Sequence, residues 1–349
     1  MIAIAHAALE RLKDAAGPGG WSMDEQELAP YQNEFRKRWN GRAPLLLKPD
    51  STKAVSRIMK AAYETETPIV PQGGNTGLVG GQMATEGEVL LSLARMNRIR
   101  ALSQEDNALV AEAGVVLASA QKAAGGAGLL FPLSLGAQGS CTIGGNISTN
   151  AGGVNVLRYG MMRDLVLGLE VVLADGRVLD LMRGLRKDNT GYDLKQVFIG
   201  AEGTLGIVTT AMLKLFPAPA GYATALAALP GPEKAVALLN RLQMATGGLV
   251  TAFELMQRSA IDLVVKHIPQ TANPLPNHQG WSVLIEVSNP TAFDAGYALQ
   301  EELEDAMEDG DVVDAAFAKT ARDRDALWRI RETIPEAQRA DGEIGRAHV

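Results

Sequence analysis

At 349 residues the chain is long enough for two domains of about 100–200 residues each. With 46% hydrophobic and 21% charged residues it has the composition of a folded chain, which excludes wholesale disorder. Lys plus Arg is 33 and Asp plus Glu is 40, a net charge of −7 with no long basic run. That balance argues against nucleic acid or an anionic membrane surface as the main partner. Cys141 stands alone and cannot form an internal disulfide. The start, Met1 to Leu12, lacks a basic region ahead of an apolar run and carries Glu10 and Arg11, so no signal peptide is expected. No run approaches the ~18 apolar residues of a spanning helix, so no transmembrane segment is expected either. The expectation is a soluble, cytoplasmic protein.

Up to about Arg42 the sequence reads as a polar, helical lead-in broken at Pro30. Leu45–Leu47 reads as a strand, and Ser51 as the cap of a helix with Val55, Ile58, Met59 and Ala62 at helical spacing. Pro68–Pro71, Val89–Leu93 and Ala108–Ala113 read as strands, with a helix over Leu117–Ala124. Leu165–Leu173 and Val178–Leu181 form a hairpin around Asp175-Gly176, and Leu205–Phe216 is a strand ending at Pro217. Beyond Pro217 strands and helices alternate. Strands are expected at Thr224–Leu229, Val250–Leu255, Ser282–Ser288 and Val312–Phe317. Helices are expected at Glu233–Thr246, Ser259–His267, Thr291–Met307 and Asp323–Gln338. Two such halves predict an antiparallel sheet with helices on one face.

The 37 glycines are not spread evenly. Glycine weakens regular elements, so clusters mark backbone that turns sharply or lies close to something. Pro71–Gly81 holds five glycines in nine positions, Gly73 to Gly81, directly after a strand. Converging backbone N–H groups there can cradle a pyrophosphate without a lysine. The spacing fits neither a Walker A loop nor a Rossmann fingerprint, and an ordinary glycine-rich turn is the plain alternative. A second loop runs from Pro132 through Ser140–Gly153 and offers amides, hydroxyls and carboxamides. A third, Gly200–Val208, feeds a strand.

These three motifs, in this order, resemble the flavin-binding domain of the vanillyl-alcohol-oxidase/p-cresol-methylhydroxylase superfamily. Within it the chain resembles the FAD-linked D-2-hydroxy-acid dehydrogenases, strongly over Gly41–Pro217 and more loosely beyond. The resemblance implies an α+β fold. A lead-in (1–40) would precede a p-cresol-methylhydroxylase-type FAD-binding domain of two α+β subdomains (41–217). An incomplete α+β FAD-linked oxidase C-terminal, or cap, domain (218–342) would follow.

The resemblance also implies roles. Gly73, Gly74, Asn75, Thr76 and Gly77 would hold the FAD pyrophosphate, with Pro71 before them also cofactor-binding. Pro132, Gly136, Ser140, Gly144, Gly145, Asn146, Thr149, Asn150, Gly152 and Gly153 would line the flavin and ribityl chain, and Gly203, Gly206 and Val208 the adenine side. No histidine lies in these loops, so the FAD is expected to be non-covalent. Cys141 reads as a packed residue rather than a tether or redox thiol. Arg186–Leu194 resembles a segment that positions a loop, and reads as the cap of a helix. In Trp328–Pro335, Arg331 matches the family's clamp for the substrate carboxylate, the one catalytic residue expected here. A solvated helix arginine is the plain alternative, and Pro335 stands where some relatives have a hydroxyl residue. His6, His267 and His278 show no ligand spacing, and no metal site is expected in this chain.

Relatives continue beyond a helix like Asp323–Gln338 and bring metal ligands and a base there. The last seven residues, Glu343–Val349, read as the translation of a common sequencing adapter. The chain is therefore expected to be truncated, with any divalent metal belonging to the missing part. The expected reaction is oxidation of a small D-2-hydroxy acid to the 2-oxo acid by hydride transfer to the flavin, with electrons leaving to a carrier or quinone. A homodimer is possible on this reading. Glycolate is a competing substrate, and a non-catalytic FAD-binding subunit of a glycolate-oxidase-like complex is the alternative function.

Overall fold

The computed structural model describes residues 4–34, 36–289 and 294–342. The chain divides into two units, Met1–Gly153 with Gly160–Ala218, and Val154–Tyr159 with Pro219–Val349. The division falls between Ala218 and Pro219, and the six residues Val154–Tyr159 group with the second unit.

The first unit opens with α1 (His6–Ala16), β1 (Trp21–Ser22), α2 (Glu25–Gln32), β2 (Leu46–Leu47), α3 (Thr52–Glu64), β3 (Ile69–Gln72) and β4 (Val89–Ser92). The Ser51 side chain accepts the Ala54 N–H and starts α3, as the sequence predicts. Val55, Ile58 and Ala62 of α3 pack on Leu45, Leu47, Val89 and Leu91, each such side chain contributing about 1.5–3 kcal/mol. The strands order β1-β2-β4-β3, with β2 and β3 both parallel to β4. Two expectations for the lead-in are corrected. It is part of this unit, because β1 pairs antiparallel with β2 and Leu12 of α1 is fully buried against α3. Pro30 lies inside α2 rather than ending it, since Asp24 caps the helix through the Gln26 and Glu27 N–H groups.

The second sheet of this unit is wholly antiparallel. Along this stretch of chain come β5 (Ile99–Ser103), β6 (Ala108–Glu112), α4 (Leu117–Gly126), β7 (Leu129–Leu130), α5 (Ile143–Ser148), α6 (Val156–Tyr159, which belongs to the second unit), β8 (Val166–Val172), β9 (Val178–Leu181), α7 (Lys195–Phe198), β10 (Ile207–Lys214) and β11 (Phe216–Pro217). The order is β5-β6-β10-β8-β9, and β11 pairs with β7. The hairpin of β8 and β9 forms as expected. A polar row crosses the sheet from β6 through β10 to β8. Glu112 is sealed from solvent and bonded by Arg98 and Arg100, while Glu170 accepts from Thr52, Thr209 and Thr210. Buried carboxylates are tolerated only with such partners.

The second unit comprises β12 (Gly221–Leu229), α8 (Glu233–Ala245), β13 (Val250–Gln257), α9 (Arg258–His267), β14 (Trp281–Asn289), α10 (Ala295–Glu308), β15 (Asp314–Phe317), α11 (Ala321–Glu332) and α12 (Ile334–Asp341), with α6 packed on β13. The sheet is antiparallel, in the order β13-β14-β12-β15. Helices cover both of its faces, not one. Ala225, Ala227 and Leu229 of β12 meet α8 and α10, whereas Leu226 and Ala228 meet α9, α11 and α12. The unbroken run Thr224–Leu229 is the pattern of a strand buried on both sides. The expected single helix over Asp323–Gln338 is two. Pro335 has no N–H for the Arg331 carbonyl, so α11 ends at Glu332 and the proline sits in the first turn of α12. The first four residues of the expected helix 291–307 are Thr291 to Asp294; of these Thr291–Phe293 lie outside the described residues, and α10 starts at Ala295.

Candidate cofactor-binding site

Strand β3 ends at Gln72, which anchors the first glycine loop. Its Nε2 donates to the Tyr31 and Gln82 carbonyls at 2.9 and 3.0 Å. Asn75 takes a left-handed φ of 53°, which asparagine tolerates better than most residues. The Asn75 amide ties the loop to the end of α2, donating to the Pro30 and Asn33 carbonyls. Gln82 closes the loop by donating to the Gly77 carbonyl at 2.9 Å. Among the described residues, the N–H groups of Gly74 to Val79 reach no protein acceptor. They form the unspent donor array that a pyrophosphate would fill.

The second loop is not wholly loop. Ile143–Ser148 is the short helix α5, its Gly144 N–H bonded to the Ala113 carbonyl at 2.7 Å. A Cβ on Gly144 would lie 2.7 Å from the Ala113 Cβ, so glycine lets α5 seat on the end of β6. Thr142 Oγ1 and Asn146 Nδ2 are buried and have no partner, as is Gln72 Oε1. The Asn146 amide has only the Cys141 thiol beside it, and a buried polar atom without a partner is costly unless a polar group meets it. Thr149 donates back to the Gly145 carbonyl, and Asn150, at φ 46°, accepts the Arg163 N–H. Gly153 has φ 95°, and a Cβ there would collide with the Ser134 carbonyl.

Close approaches bring the three loops together. A Cβ on Gly73 would lie 2.5 Å from Thr142 Oγ1, and one on Gly74 would collide with the Ser140 carbonyl. Gly203, at φ 79°, leaves no room for a Cβ beside the Pro71 ring. Glu202 and Gly200 donate their N–H groups to the Ser148 and Ile147 carbonyls, at 2.8 and 3.0 Å. Pro71, Gly73, Gly74, Ser140, Gly145, Asn146 and Gly203 therefore share one neighbourhood. Gly136 faces open space, with nothing within 4 Å of a would-be Cβ. Two others on the expected list belong to the sheet: Gly206 packs on Val171, and Val208 is buried in β10 opposite Val171. Val208 is a core residue here, because the loop has already become strand. The polar orphans, the free N–H array and the space that only glycine leaves suit a phosphate-bearing, amide-rich group such as FAD.

Cys141 is buried, and burial pushes its thiol up, away from reactivity. The expected cap at Gly191–Leu194 is not formed. Helix α7 begins at Lys195 with no side-chain cap, and the Asp193 carboxylate pairs with Lys195 instead. His267 Nε2 meets Asp341 at 2.8 Å and His278 Nε2 the Trp281 carbonyl at 2.8 Å. Among the described residues no cluster of His, Cys, Asp or Glu could hold a metal, and no helix is long and apolar enough to cross a membrane.

In the second unit, Arg331 projects from the last turn of α11 and donates Nε to Glu254 on β13 at 2.5 Å. A tighter polar centre lies on the same face of that sheet. Buried Glu286 accepts from Arg324 Nε and Nη2, Trp328 Nε1 and Thr224 Oγ1. The Arg324 guanidinium stacks on Tyr222, 4.6 Å from the ring centre. Glu254, Glu286 and Arg324 escaped the sequence reading. A charged residue in the apolar strand Trp281–Asn289 was the only available signal for Glu286.

The FAD binding domain family matches residues 43–182, and the C-terminal domain of FAD linked oxidases matches residues 218–347. The mitochondrial D-2-hydroxyglutarate dehydrogenase of Rattus norvegicus is 39% identical over 327 residues, 94% of this chain and 61% of that protein. The D-2-hydroxyglutarate--pyruvate transhydrogenase of Saccharomyces cerevisiae is 36% identical over 316 residues, 90% of this chain and 64% of that protein. The chain thus spans about three fifths of the length of such relatives. In fold it is similar to alkyldihydroxyacetonephosphate synthase, at TM-score 0.73 and 18% identity, covering 94% of this chain and 65% of that one. It is also similar to p-cresol methylhydroxylase, at TM-score 0.72 and 16% identity, covering 93% of this chain and 68% of that one. With both models matched in order, the chain carries the FAD binding domain and the C-terminal domain of the FAD linked oxidases, and over most of its own length it is similar to D-2-hydroxyglutarate dehydrogenases.

Proposed function

We propose that the protein oxidises a D-2-hydroxy acid to the 2-oxo acid with FAD as the electron acceptor. The observation that carries this reading is the close approach of the three glycine loops to one another, with the Thr142 hydroxyl buried and unpartnered beside Gly73. The names of the similar proteins support the choice of acid. Gly74 to Val79 would hold the pyrophosphate by backbone N–H groups, and Thr142 and Asn146 would bond the flavin and its ribityl chain. Bound FAD, held without a covalent link, supplies a site that accepts a hydride. Arg331 would hold the substrate carboxylate so that the α-hydrogen is presented and not lost to misorientation. As the α-hydrogen leaves with its electron pair, the hydroxyl proton passes to a base and the C–O bond becomes C=O. The electrons then pass to a carrier or quinone, and we expect a homodimer in the cytoplasm, although the Rattus norvegicus relative is named as mitochondrial.

The test is the absorbance spectrum of the chain reconstituted with FAD, before and after anaerobic addition of D-2-hydroxyglutarate, D-lactate or glycolate. Bleaching of the flavin band by one acid is the expected result and names the substrate. No bound flavin after reconstitution overturns the reading. A bound flavin that none of the acids bleaches favours a flavin-binding subunit.

A further inference from the structure

Helix α11 turns two arginines toward the same sheet and the structure holds them in different ways. Arg324, Trp328 and Arg331 stand at i, i+4 and i+7, along one face of the helix. Arg324 is closed. Its Nε and Nη2 bond the two different oxygens of Glu286 at 2.7 and 2.9 Å, and Trp328 and Thr224 both donate to the same carboxylate at Oε2. Arg331 is open. Its Nε donates to Glu254 Oε2 at 2.5 Å, and among the described residues nothing else hydrogen-bonds its guanidinium. Its side chain keeps 31% of its exposure and that of Glu254 22%.

A guanidinium is planar, so one strong bond at Nε fixes the plane and leaves the Nη1–Nη2 edge for a second partner. That edge matches the two oxygens of a carboxylate. We infer that Glu254 is a positioning residue, holding Arg331 by Nε so that its free edge receives the carboxylate of the acid substrate. The inference rests on the hydroxy-acid reading above and adds a residue that neither the motifs nor the family matches single out. Glu254 acts through Arg331, not on the substrate. Being an anion itself, it also weakens the pull of Arg331 on a second anion, so its charge and its hydrogen bond work in opposite directions.

Two neutral replacements separate those effects. Glu254→Gln keeps an oxygen for Nε and drops the charge, while Glu254→Ala drops both. The experiment is calorimetric titration of 2-oxoglutarate, the product acid for D-2-hydroxyglutarate, into the FAD-loaded chain and its variants. Glu254→Gln should bind the acid as well as the parent or more tightly, and at least about 10-fold more tightly than Glu254→Ala, the worth of one charge-assisted hydrogen bond. Arg331→Lys keeps the charge but has no planar edge, and should bind about 10-fold or more weakly than the parent. Equal binding by Glu254→Gln and Glu254→Ala, within twofold, overturns the inference. So does undiminished binding by Arg331→Lys, which carries the test alone if Glu254→Ala does not fold, and so does a parent chain that binds no acid. Flavin bleaching judges the other reading separately. The expected binding pattern with no bleaching leaves Glu254 in its role and removes the oxidation, and bleaching with equal binding by the two neutral variants does the reverse.

Discussion

Gly74 lies so close beneath the Ser140 carbonyl that a Cβ on it would collide with the oxygen. The obstacle is backbone, so no rotamer change relieves it, and Gly74→Ala must push the first and second loops apart. Overpacking of this kind costs about 1–3 kcal/mol, and here it also splits the donor array from Thr142 and Asn146. We expect Gly74→Ala to lose FAD binding by more than about 100-fold and to melt earlier. Gly136→Ala is the control, since a Cβ there meets nothing within 4 Å. Fluorescence titration of FAD and thermal melts of both variants check the pair.

Thr142 and Asn146 should show the opposite signs with and without cofactor. Each buries a polar atom that has no protein partner. Thr142→Val removes such an atom at nearly constant volume, so the FAD-free chain should be unchanged or stabilised by up to about 1 kcal/mol. Affinity for FAD should fall about 10-fold, the cost of one hydrogen bond. Urea unfolding of the FAD-free chain and FAD titration together make the check. A variant destabilised without FAD and unchanged toward it would refute the assignment.

How much of this was legible beforehand follows from the physics of each feature. The strand–helix alternation and the cap at Ser51 were readable because they are local. The glycine loops were readable because only glycine lets backbones approach as Gly74 and Ser140 do. Strand β5 was not, since Ile99–Ser103 is a mostly exposed edge with two polar side chains and no apolar alternation. The two-sided cover of the second sheet was written in Thr224–Leu229, but a continuous apolar run does not say which helices will meet it. The partner of Arg331 was beyond reach, because Glu254 stands 77 positions away and joins it only through the sheet.

Acid sensitivity should report on Glu112. Burial pushes its carboxyl up, but the bonds from Arg98 and Arg100 outweigh that and hold it below its ordinary 4.5. A carboxyl with a depressed folded value binds fewer protons folded than unfolded near that pH. Its contribution is therefore complete above about 4.5 and is lost as the pH falls through the lower folded value. Glu112→Gln cannot lose that contribution, so its stability should fall less steeply with acid over this range. Urea midpoints from pH 6 down to about pH 3 would show the two curves converging.

Glu286 should be among the most sensitive positions of the second unit. It is 2% exposed and accepts four hydrogen bonds, two of them from Arg324. Glu286→Leu strands the Arg324 guanidinium and the Trp328 N–H in the interior, at about 3–5 kcal/mol. The double change Glu286→Leu with Arg324→Met removes both charges and should recover most of that loss, because the penalty lies in the unpaired partner. Chemical unfolding of the two single variants and the double variant checks the cycle.

Arg158 should behave in the contrary way. Its guanidinium lies 5.0 Å from the centre of the Tyr159 ring, and its Nη1 is buried with no hydrogen-bond partner. Unlike Arg324 and Arg331, it has no carboxylate within ion-pair distance among the described residues. An unpaired buried N–H is a net cost, and methionine has a similar reach without the charge. Arg158→Met should therefore leave the ligand-free chain as stable as before or raise its melting temperature by about 2–4 °C, the equivalent of about 1 kcal/mol for a domain of this size. The stack on Tyr159 opposes the gain by about 0.5–1 kcal/mol, so Arg158→Lys, which keeps the cation and loses the planar fork, sets the baseline. A clear drop in melting temperature for Arg158→Met alone would mean that Nη1 is satisfied in solution, and its burial would then be no cost at all.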